Sequence, residues 1–370
     1  MGYTSSATNT SKPRLSAYVL YSSPYSFVAF LLPFYIFELG HGEVEVGIAY
    51  ASYAAAVVVI RPAAGHLADK AGRRLSMGIG GVLLSASMTL LSLSTSISHV
   101  YAAMFLSGVA SSLINVAAVA YVSDVGGLED PALYSKLKIA AAAGAVAGGV
   151  SIPAVYILSK LMGYAAAFRL TALAFAALSA AALFHLPEET RHLAVRHHRT
   201  DVRVLSCIIV ASLLAGLSTG LYGPQVLPFL HDRFSLSPFA AVLAYLPAAI
   251  SWFVGPRLAR PARSSVALGS LVVAVALIGM AYSPSPYIFS AIWVLESLGV
   301  AVLSTSLEQM VSRNVAGVYW ARGYGVYQGV NNLGYAVGAA VSGYMYPPFL
   351  YAVIPAVALS ALSLKCLKPQ

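Results

Sequence analysis

The chain has 370 residues, 59% of them hydrophobic and only 9% charged, with a mean hydropathy of +0.77 and a formal net charge of +9. So sparse a charged surface excludes a soluble protein of this length. Apolar stretches of about 20 residues, each able to cross a ~30 Å hydrocarbon layer as a helix, account for the composition instead.

Behind a short polar start, MGYTSSATNTSKPR, the hydropathy pattern predicts twelve spans near 15–37, 44–64, 75–95, 99–122, 138–159, 164–186, 204–227, 237–255, 265–283, 286–308, 323–345 and 347–364. The first is too long for a signal-peptide core and lacks a convincing cleavage site, so it is expected to remain as a helix. The connections are short, which leaves no room for a soluble domain, and the longest polar stretch inside the bundle is PEETRHLAVRHHRTD at 187–201. The fold class is therefore an all-α polytopic membrane protein.

Charge sets the orientation. With the N-terminus in the cytoplasm, 19 of the 22 Lys and Arg fall on the inner side, Arg61, Lys138 and Arg257 among them, and only Lys160, Arg169 and Arg233 fall outside. That is the asymmetry the positive-inside rule requires, and it puts both termini in the cytoplasm of a multi-pass cell-membrane protein. The net positive charge then reads as attachment to an anionic lipid leaflet, with no nucleic-acid partner. Cys207 and Cys366 both lie near the inner face, so no disulfide framework is expected. Neither a G-x-x-x-x-G-K-[ST] loop nor a G-x-G-x-x-G turn opening a helix occurs, which argues against ATP-driven transport by this chain and against a cofactor.

The chain repeats itself. Leu32-Pro33-Phe34 closes span 1 and Leu227-Pro228-Phe229 closes span 7, an offset of 228 − 33 = 195. Leu67-Ala68-Asp69 follows span 2 and Leu258-Ala259-Arg260 follows span 8, offset 258 − 67 = 191. Gly144-x-x-x-Gly148 in span 5 matches Gly334-x-x-x-Gly338 in span 11, offset 334 − 144 = 190. Landmarks at nearly one offset, in matching spans, predict two pseudo-symmetric six-helix domains, 1–186 and 204–370, joined by a cytoplasmic linker at 187–203.

Between spans 2 and 3 stands GHLADKAGRR, a charged knot between two apolar runs. At that place in a six-plus-six protein it resembles the signature loop of the major facilitator superfamily. LPFYIFELGHGEVEVGI before span 2 and FRLTALAFAALSAAALFHLPEET closing span 6 are similar to that superfamily as well. The resemblance covers essentially the whole chain and implies a transporter working by alternating access, its two domains rocking about a central site. In this loop Gly65 and Gly72 permit close backbone approach and a sharp turn, and Asp69 can face the positive end of a neighbouring helix. By resemblance that helix is span 11, beginning near Arg322, and Arg73 is expected to pair with Asp124 at the inner end of span 4. With Arg74, these residues form the expected conformational gate, tying the two domains together on the inner side. The alternative is that Lys70, Arg73 and Arg74 only anchor the loop to lipid. In the second half Arg260 replaces the acid, so that loop is expected only to anchor.

Acids inside a bilayer are costly and usually functional. Of the thirteen, twelve sort to one face or the other, Glu308 to the inner one, and only Glu296 falls mid-span, about 15 Å into span 10 at 1.5 Å per residue. It is the candidate for a coupling-proton site or for a counter-charge to a cationic substrate, with structural hydrogen bonding as the alternative. The superfamily's cavity is lined by spans 1, 4, 7 and 10, and neutral polar residues offer themselves to it. Tyr21, Ser22, Tyr25 and Ser26 share faces of span 1; Ser111, Ser112 and Asn115 stand on span 4, Tyr222 and Gln225 on span 7, and Gln328, Asn331, Asn332 and Tyr335 on span 11. Mid-membrane Asn and Gln are expensive enough that some must face water or ligand.

Two departures from the superfamily's patterns bear on mechanism. Met104 stands four residues before Gly108, where many proton-driven members carry Arg. Gly144-Ala145-Val146-Ala147-Gly148-Gly149 lacks the proline of the antiporter motif. With no deep cation in view, a phosphate or multiply anionic substrate is disfavoured. The resulting expectation is a secondary active transporter, a monomer and not an enzyme, that moves a small neutral, cationic or amphipathic solute. Protons are the candidate coupling ion and export the candidate direction. The alternatives are a sugar or metabolite facilitator and, outside transport, a membrane scaffold. An enzyme is opposed by the lack of any His, Asp or Glu cluster at membrane depth.

Overall fold

Inside lipid every backbone N–H and C=O must be satisfied within the chain, and this chain meets the requirement with helices throughout its described part. The structure, a computed structural model, describes residues 14–126, 131–189, 202–314, 320–345 and 347–366; the side chains of 123, 126, 131–134, 202, 203, 312 and 320–323 lie outside the description. Spans 1 to 4 are Ser16–Glu38, Glu43–Ala71, Arg73–Ser92 and Ile97–Gly126. Span 5 is Pro131–Gly149 continued by Ser151–Met162, and span 6 is Tyr164–Ala181 with a 3₁₀ turn, Ala182–His185. Span 7 is Val202–Tyr222, a 3₁₀ turn at Gly223–Gln225, and Val226–Phe234. Span 8 comes in three pieces, Pro238–Leu243, Leu246–Ala249 and Ser251–Leu258. Spans 9 to 12 are Arg263–Ala281, Pro286–Asn314, Trp320–Ser342 and Pro348–Cys366. Among the described residues, 11 helices are by length and composition apolar enough to cross a membrane. Span 11 has the length, 23 residues, but its Asn, Gln and Gly lower its hydropathy.

The breaks fall where backbone donors are missing. Pro224 sits in the 3₁₀ turn of span 7, and Pro247 and Pro256 punctuate span 8; each removes an N–H and crowds the preceding turn. The loop between spans 2 and 3 is shorter than its charges suggest. Span 2 runs as helix to Ala71, so Gly65 and Asp69 are helical and only Gly72 turns. Gly72 does so at φ +102°, a conformation in which a side chain is strained. A helix need not stop at the hydrocarbon boundary, and this one carries its charged last turns past it.

The packing repeats with the sequence. Span 1 packs on spans 5 and 6, span 2 on 4, and span 3 on 4 and 6; six spans later, 7 packs on 11 and 12, 8 on 10, and 9 on 10 and 12. The paired G-x-x-x-G motifs occupy matching places. A Cβ on Gly144 or Gly148 would strike the carbonyls of Val19 and Ser23 in span 1, and one on Gly334 or Gly338 the backbone of Leu213 to Leu221 in span 7. Small residues thus bring span 5 onto span 1 and span 11 onto span 7, where dispersion and backbone contact replace a hydrophobic driving force. The second set of spans adds an aromatic core in which Phe229, Phe289 and Phe349 meet at centroid distances of 4.9 to 5.8 Å.

One expectation is corrected. Cys207, near the start of span 7, and Cys366, at the end of span 12, are joined in a disulfide with their Cα atoms 6.0 Å apart. The packing of span 12 on span 7 brings both inner ends together, an adjacency that residues 159 apart in sequence do not announce.

Candidate functional site

The two sets of six spans meet along a seam in which span 2 runs beside span 11 and span 5 beside span 8. On the outer side, the Gln225 side chain donates to the Glu43 carbonyl at 3.0 Å and to Ser342 Oγ at 3.1 Å, joining spans 7, 2 and 11. His231 sets its ring against Phe34 and Phe37 of span 1 at 6.0 and 6.3 Å, and Tyr156 stacks on Phe239 at 4.8 Å. On the inner side, Lys138 Nζ lies 2.9 Å from Glu308 Oε1, and Ser135 Oγ donates to the Pro256 carbonyl at 2.8 Å. The seam is therefore joined near both of its ends.

Between these ties lie two polar groups. The outer one centres on Glu296 in span 10, only 4% exposed. Its carboxylate accepts from the Tyr222 hydroxyl of span 7 and from Ser297 Oγ at 3.0 Å. Aromatic rings wall it: Tyr245 meets Trp293 at 4.9 Å and Phe30 at 4.8 Å. The proline and 3₁₀ turn just after Tyr222 unwind span 7 beside this carboxylate.

The inner group contains residues that the sequence reading placed at the membrane surface. Glu308 is 3% exposed and accepts from the Gln328 amide at 2.8 Å and the Tyr324 hydroxyl at 3.2 Å as well as from Lys138. Arg61, expected at the inner face, is instead buried, 5% exposed, on span 2, its backbone close against Gly325 of span 11. Both act electrostatically on Tyr18, Tyr324 and Tyr327, so they share one neighbourhood. Beside it Tyr18 donates to Asn115 at 2.8 Å, Asn115 to Ser111, and Tyr53 to Ser111 at 2.6 Å, linking spans 1, 2 and 4. Hydropathy locates such residues along a helix axis but not around it, which is why Arg61, Lys138 and Glu308 were missed. The available signal was the i, i+4 pair of Tyr324 and Gln328 on span 11, facing an acid.

The expected cavity residues divide. Tyr222, Asn115 and Gln328 are in these two groups, and Tyr25 stands edge-on to Tyr53 at 6.3 Å. Tyr21 is fully buried against Gly81 of span 3, inside the first six spans rather than at the seam. Gln225 is part of the outer tie. Asn331 donates to the Ser212 carbonyl of span 7, and Asn332 to its own helix at Gln328; both bind helix to helix or turn to turn.

The charged loop is also relocated. Arg73, 2% exposed, places Nε 3.0 Å from Asp124 Oδ2 and a terminal nitrogen 2.9 Å from Asp69 Oδ1. Glu189 caps the start of span 3, accepting from the backbone N–H of Arg73 at 2.8 Å and of Arg74 at 3.2 Å, while the Arg74 side chain is exposed. Arg73, Asp69 and Asp124 all belong to the first six spans, and Glu189 lies at the start of the 187–203 linker that follows them. The Arg73–Asp124 pair, with Asp69, therefore fastens spans 2, 3 and 4 to one another, and among the described contacts the ion pair that crosses between the two sets of spans is Lys138–Glu308. The span 11 residues near Arg322, expected to face Asp69, lie outside the described side chains.

The comparisons with known proteins agree with this architecture. The sequence profile of the Major Facilitator Superfamily matches residues 15–263. No curated protein matches. Among solved structures, the chain is similar to the crystal structure of the human organic anion transporter MFSD10 (TETRAN), with 17% identity, a TM-score of 0.70, and coverage of 95% of this chain and 96% of that one. At this identity the likeness speaks for the fold alone. With the profile spanning most of the chain and the all-helical fold in agreement, the protein belongs to the major facilitator superfamily and is a multi-pass secondary transporter of small-molecule solutes, not an enzyme.

Proposed function

We propose that the protein moves a small amphipathic solute across the cell membrane by alternating access, coupled to protons at Glu296. Residues 1–186 and 204–370 act as two rocking bodies joined by the 187–203 linker, within a single chain whose termini are cytoplasmic. The observation that carries the reading is the company Glu296 keeps. Its carboxylate is buried with two hydroxyl partners, Tyr222 and Ser297, and no cation contacts it among the described residues. A fixed ion pair would lock one protonation state, whereas hydroxyls serve a charged or a neutral carboxyl alike. Tyr222 on span 7 connects that carboxyl to the turn at Gly223–Gln225 and so to the outer tie through Gln225. A change of charge at Glu296 is thereby placed next to the part of the seam that must open.

A facilitator for sugars is less well supported. Asn115, Gln328, Asn331 and Asn332, the amides that would hold hydroxyl groups, are already bonded within the protein.

The test is made in proteoliposomes, with a panel of amphipathic amines and carboxylates and an imposed proton gradient. Glu296→Gln keeps the size and hydrogen bonding of the neutral acid, so gradient-driven accumulation should be lost while exchange at equal solute concentrations persists. Accumulation by the Gln variant at the wild-type level, with unchanged dependence on the gradient, would overturn the coupling role.

A further inference from the structure

Among the described residues Arg61 is a buried cation without an ion-pair partner. It lies about 15 Å from the inner end of span 2 by its ten-residue separation from Ala71, and its Nε and one terminal nitrogen have no hydrogen-bond partner among the described residues. Lys138, nearby, pairs with Glu308 through Oε1, and the same oxygen also accepts from Tyr324 and Gln328. Among the described residues the neighbourhood therefore holds two positive charges, Arg61 and Lys138, and one negative, Glu308. Buried charges persist when paired and hydrogen-bonded, and an uncompensated guanidinium is strongly unfavourable. The residues around it are the phenols of Tyr18, Tyr53, Tyr324 and Tyr327. Together they form an apolar-walled, positively biased site with room in its chemistry for one negative charge.

We infer that Arg61 is a monoanion-binding subsite that takes the carboxylate of the transported solute, its guanidinium fork donating to the two carboxylate oxygens and the tyrosine rings flanking the solute's apolar part. This rests on the transport reading and names the substrate class within it: an amphipathic monocarboxylate or a zwitterion. It also revises the sequence expectation that no deep cation is present. A multiply charged anion remains excluded, because the site offers one uncompensated cation. Arg61 stands on span 2 and Tyr324 and Tyr327 on span 11, on opposite sides of the seam. An anion held at Arg61 thus touches the surface along which the two sets of spans part, and opening toward the inside exposes it.

The experiment measures ligand-induced thermal stabilisation of the full-length protein in lipid nanodiscs, in gluconate-free, chloride-free buffer and with no proton gradient. The probes are a monocarboxylate series from acetate to 4-phenylbutyrate, the uncharged 4-phenylbutyramide, and chloride. Phenylbutyrate should stabilise the wild type saturably, more than acetate, and the amide should not. Arg61→Gln should weaken phenylbutyrate binding roughly tenfold or more, as expected for losing a charge-assisted bidentate contact, and Arg61→Lys should fall between. Without ligand, Arg61→Gln should be as heat-stable as wild type or more so, since it removes an uncompensated buried charge. No shift with any carboxylate, equal shifts with acid and amide, or unweakened binding in the Gln variant each overturns the inference. Chloride binding as tightly as phenylbutyrate and competing with it would make this an inorganic-anion site and overturn the solute assignment. A large fall in the ligand-free melting temperature of both Arg61 variants would make the residue structural. Because no gradient is applied, the outcome does not depend on whether Glu296 couples protons.

Discussion

Removing the Glu308 carboxylate, as Glu308→Gln, should loosen the inner side of the seam. The pair with Lys138 spans 2.9 Å and joins span 5 to span 10. Breaking a buried ion pair by deleting one partner costs about 3–5 kcal/mol. Two features reduce that here. Lys138 is 25% exposed and can turn toward water, and the Gln variant can keep partners in Tyr324 and Gln328. A net of about 1–2 kcal/mol is left as the weight of the tie, which shifts the ratio of inner-closed to inner-open conformers roughly 5- to 30-fold. Spin labels on cysteines replacing the exposed Lys70 and Arg260, in a background lacking Cys207 and Cys366, would report the separation of the inner ends by pulsed dipolar spectroscopy. The long-distance population should grow in Glu308→Gln and in Lys138→Gln by similar factors. The double variant should show less than the sum of the two effects, since the two residues share one interaction. Distance distributions unchanged in both single variants, or strictly additive effects in the double, would refute the idea that this pair holds the inner side closed.

Two further outcomes check the loop and the topology. Exchanging the charges in Arg73→Asp with Asp124→Arg should restore part of the transport that either reversal alone abolishes, and Asp69→Asn should impair transport more than Lys70→Gln; equal tolerance at Asp69 and Lys70 would reduce the loop to a lipid anchor. Cysteines introduced at 38–43 and 282–287 should react with an impermeant thiol reagent from outside the cell and one at 190–200 should not; the opposite pattern would invert the orientation.

The spans, the duplication and the loop family were legible because each is written in local pattern. Composition marks helices, and a 190-residue offset recovers Gly144 and Gly334, whose lack of a side chain is what lets spans 5 and 11 sit on spans 1 and 7. The arrangement of charges across the seam was not legible. Arg61 sits beside Pro62, six residues before the loop's Leu67, and Glu308 twelve residues past Glu296, so both sort naturally to the inner face when only depth is read. What buries them is the azimuth of spans 2 and 10 against span 11, which no local periodicity reports because these helices are apolar nearly all round. The Lys138–Glu308 pair closes across 308 − 138 = 170 residues, and the Cys207–Cys366 bond across 159. Such pairings are set by packing of the whole bundle. Arg73 and Asp124 contact one another within one set of spans, because span 4 ends beside the start of span 3 on the same side of the seam.

The chemistry of the two ties differs in a way that suits a carrier. Among the described contacts the outer one has an amide bonded to a carbonyl and a hydroxyl, ring against ring at Tyr156–Phe239 and His231–Phe34, and the hydrogen-bonded carboxyl groups of Asp232 and Glu43. Among the described residues the inner one includes one ion pair, with a guanidinium that has no ion-pair partner beside it. The amide and ring contacts weaken little when a solute anion binds, whereas an ion pair beside a buried guanidinium responds directly to a new negative charge. A carboxylate entering beside Arg61 adds a second acceptor near Lys138 and competes with Glu308 for it, since at a few ångströms and moderate effective dielectric such charges interact by several kcal/mol before desolvation is subtracted. To move a two-state equilibrium from about 1:99 to 99:1 takes about 5.5 kcal/mol of differential binding. A tie worth about 1–2 kcal/mol needs far less to yield. The inner seam is thus the side on which solute chemistry can act most strongly, and the outer seam the side on which the Glu296–Tyr222 contact must act. Loading from one face and release at the other follow if proton and anion each bias a different tie.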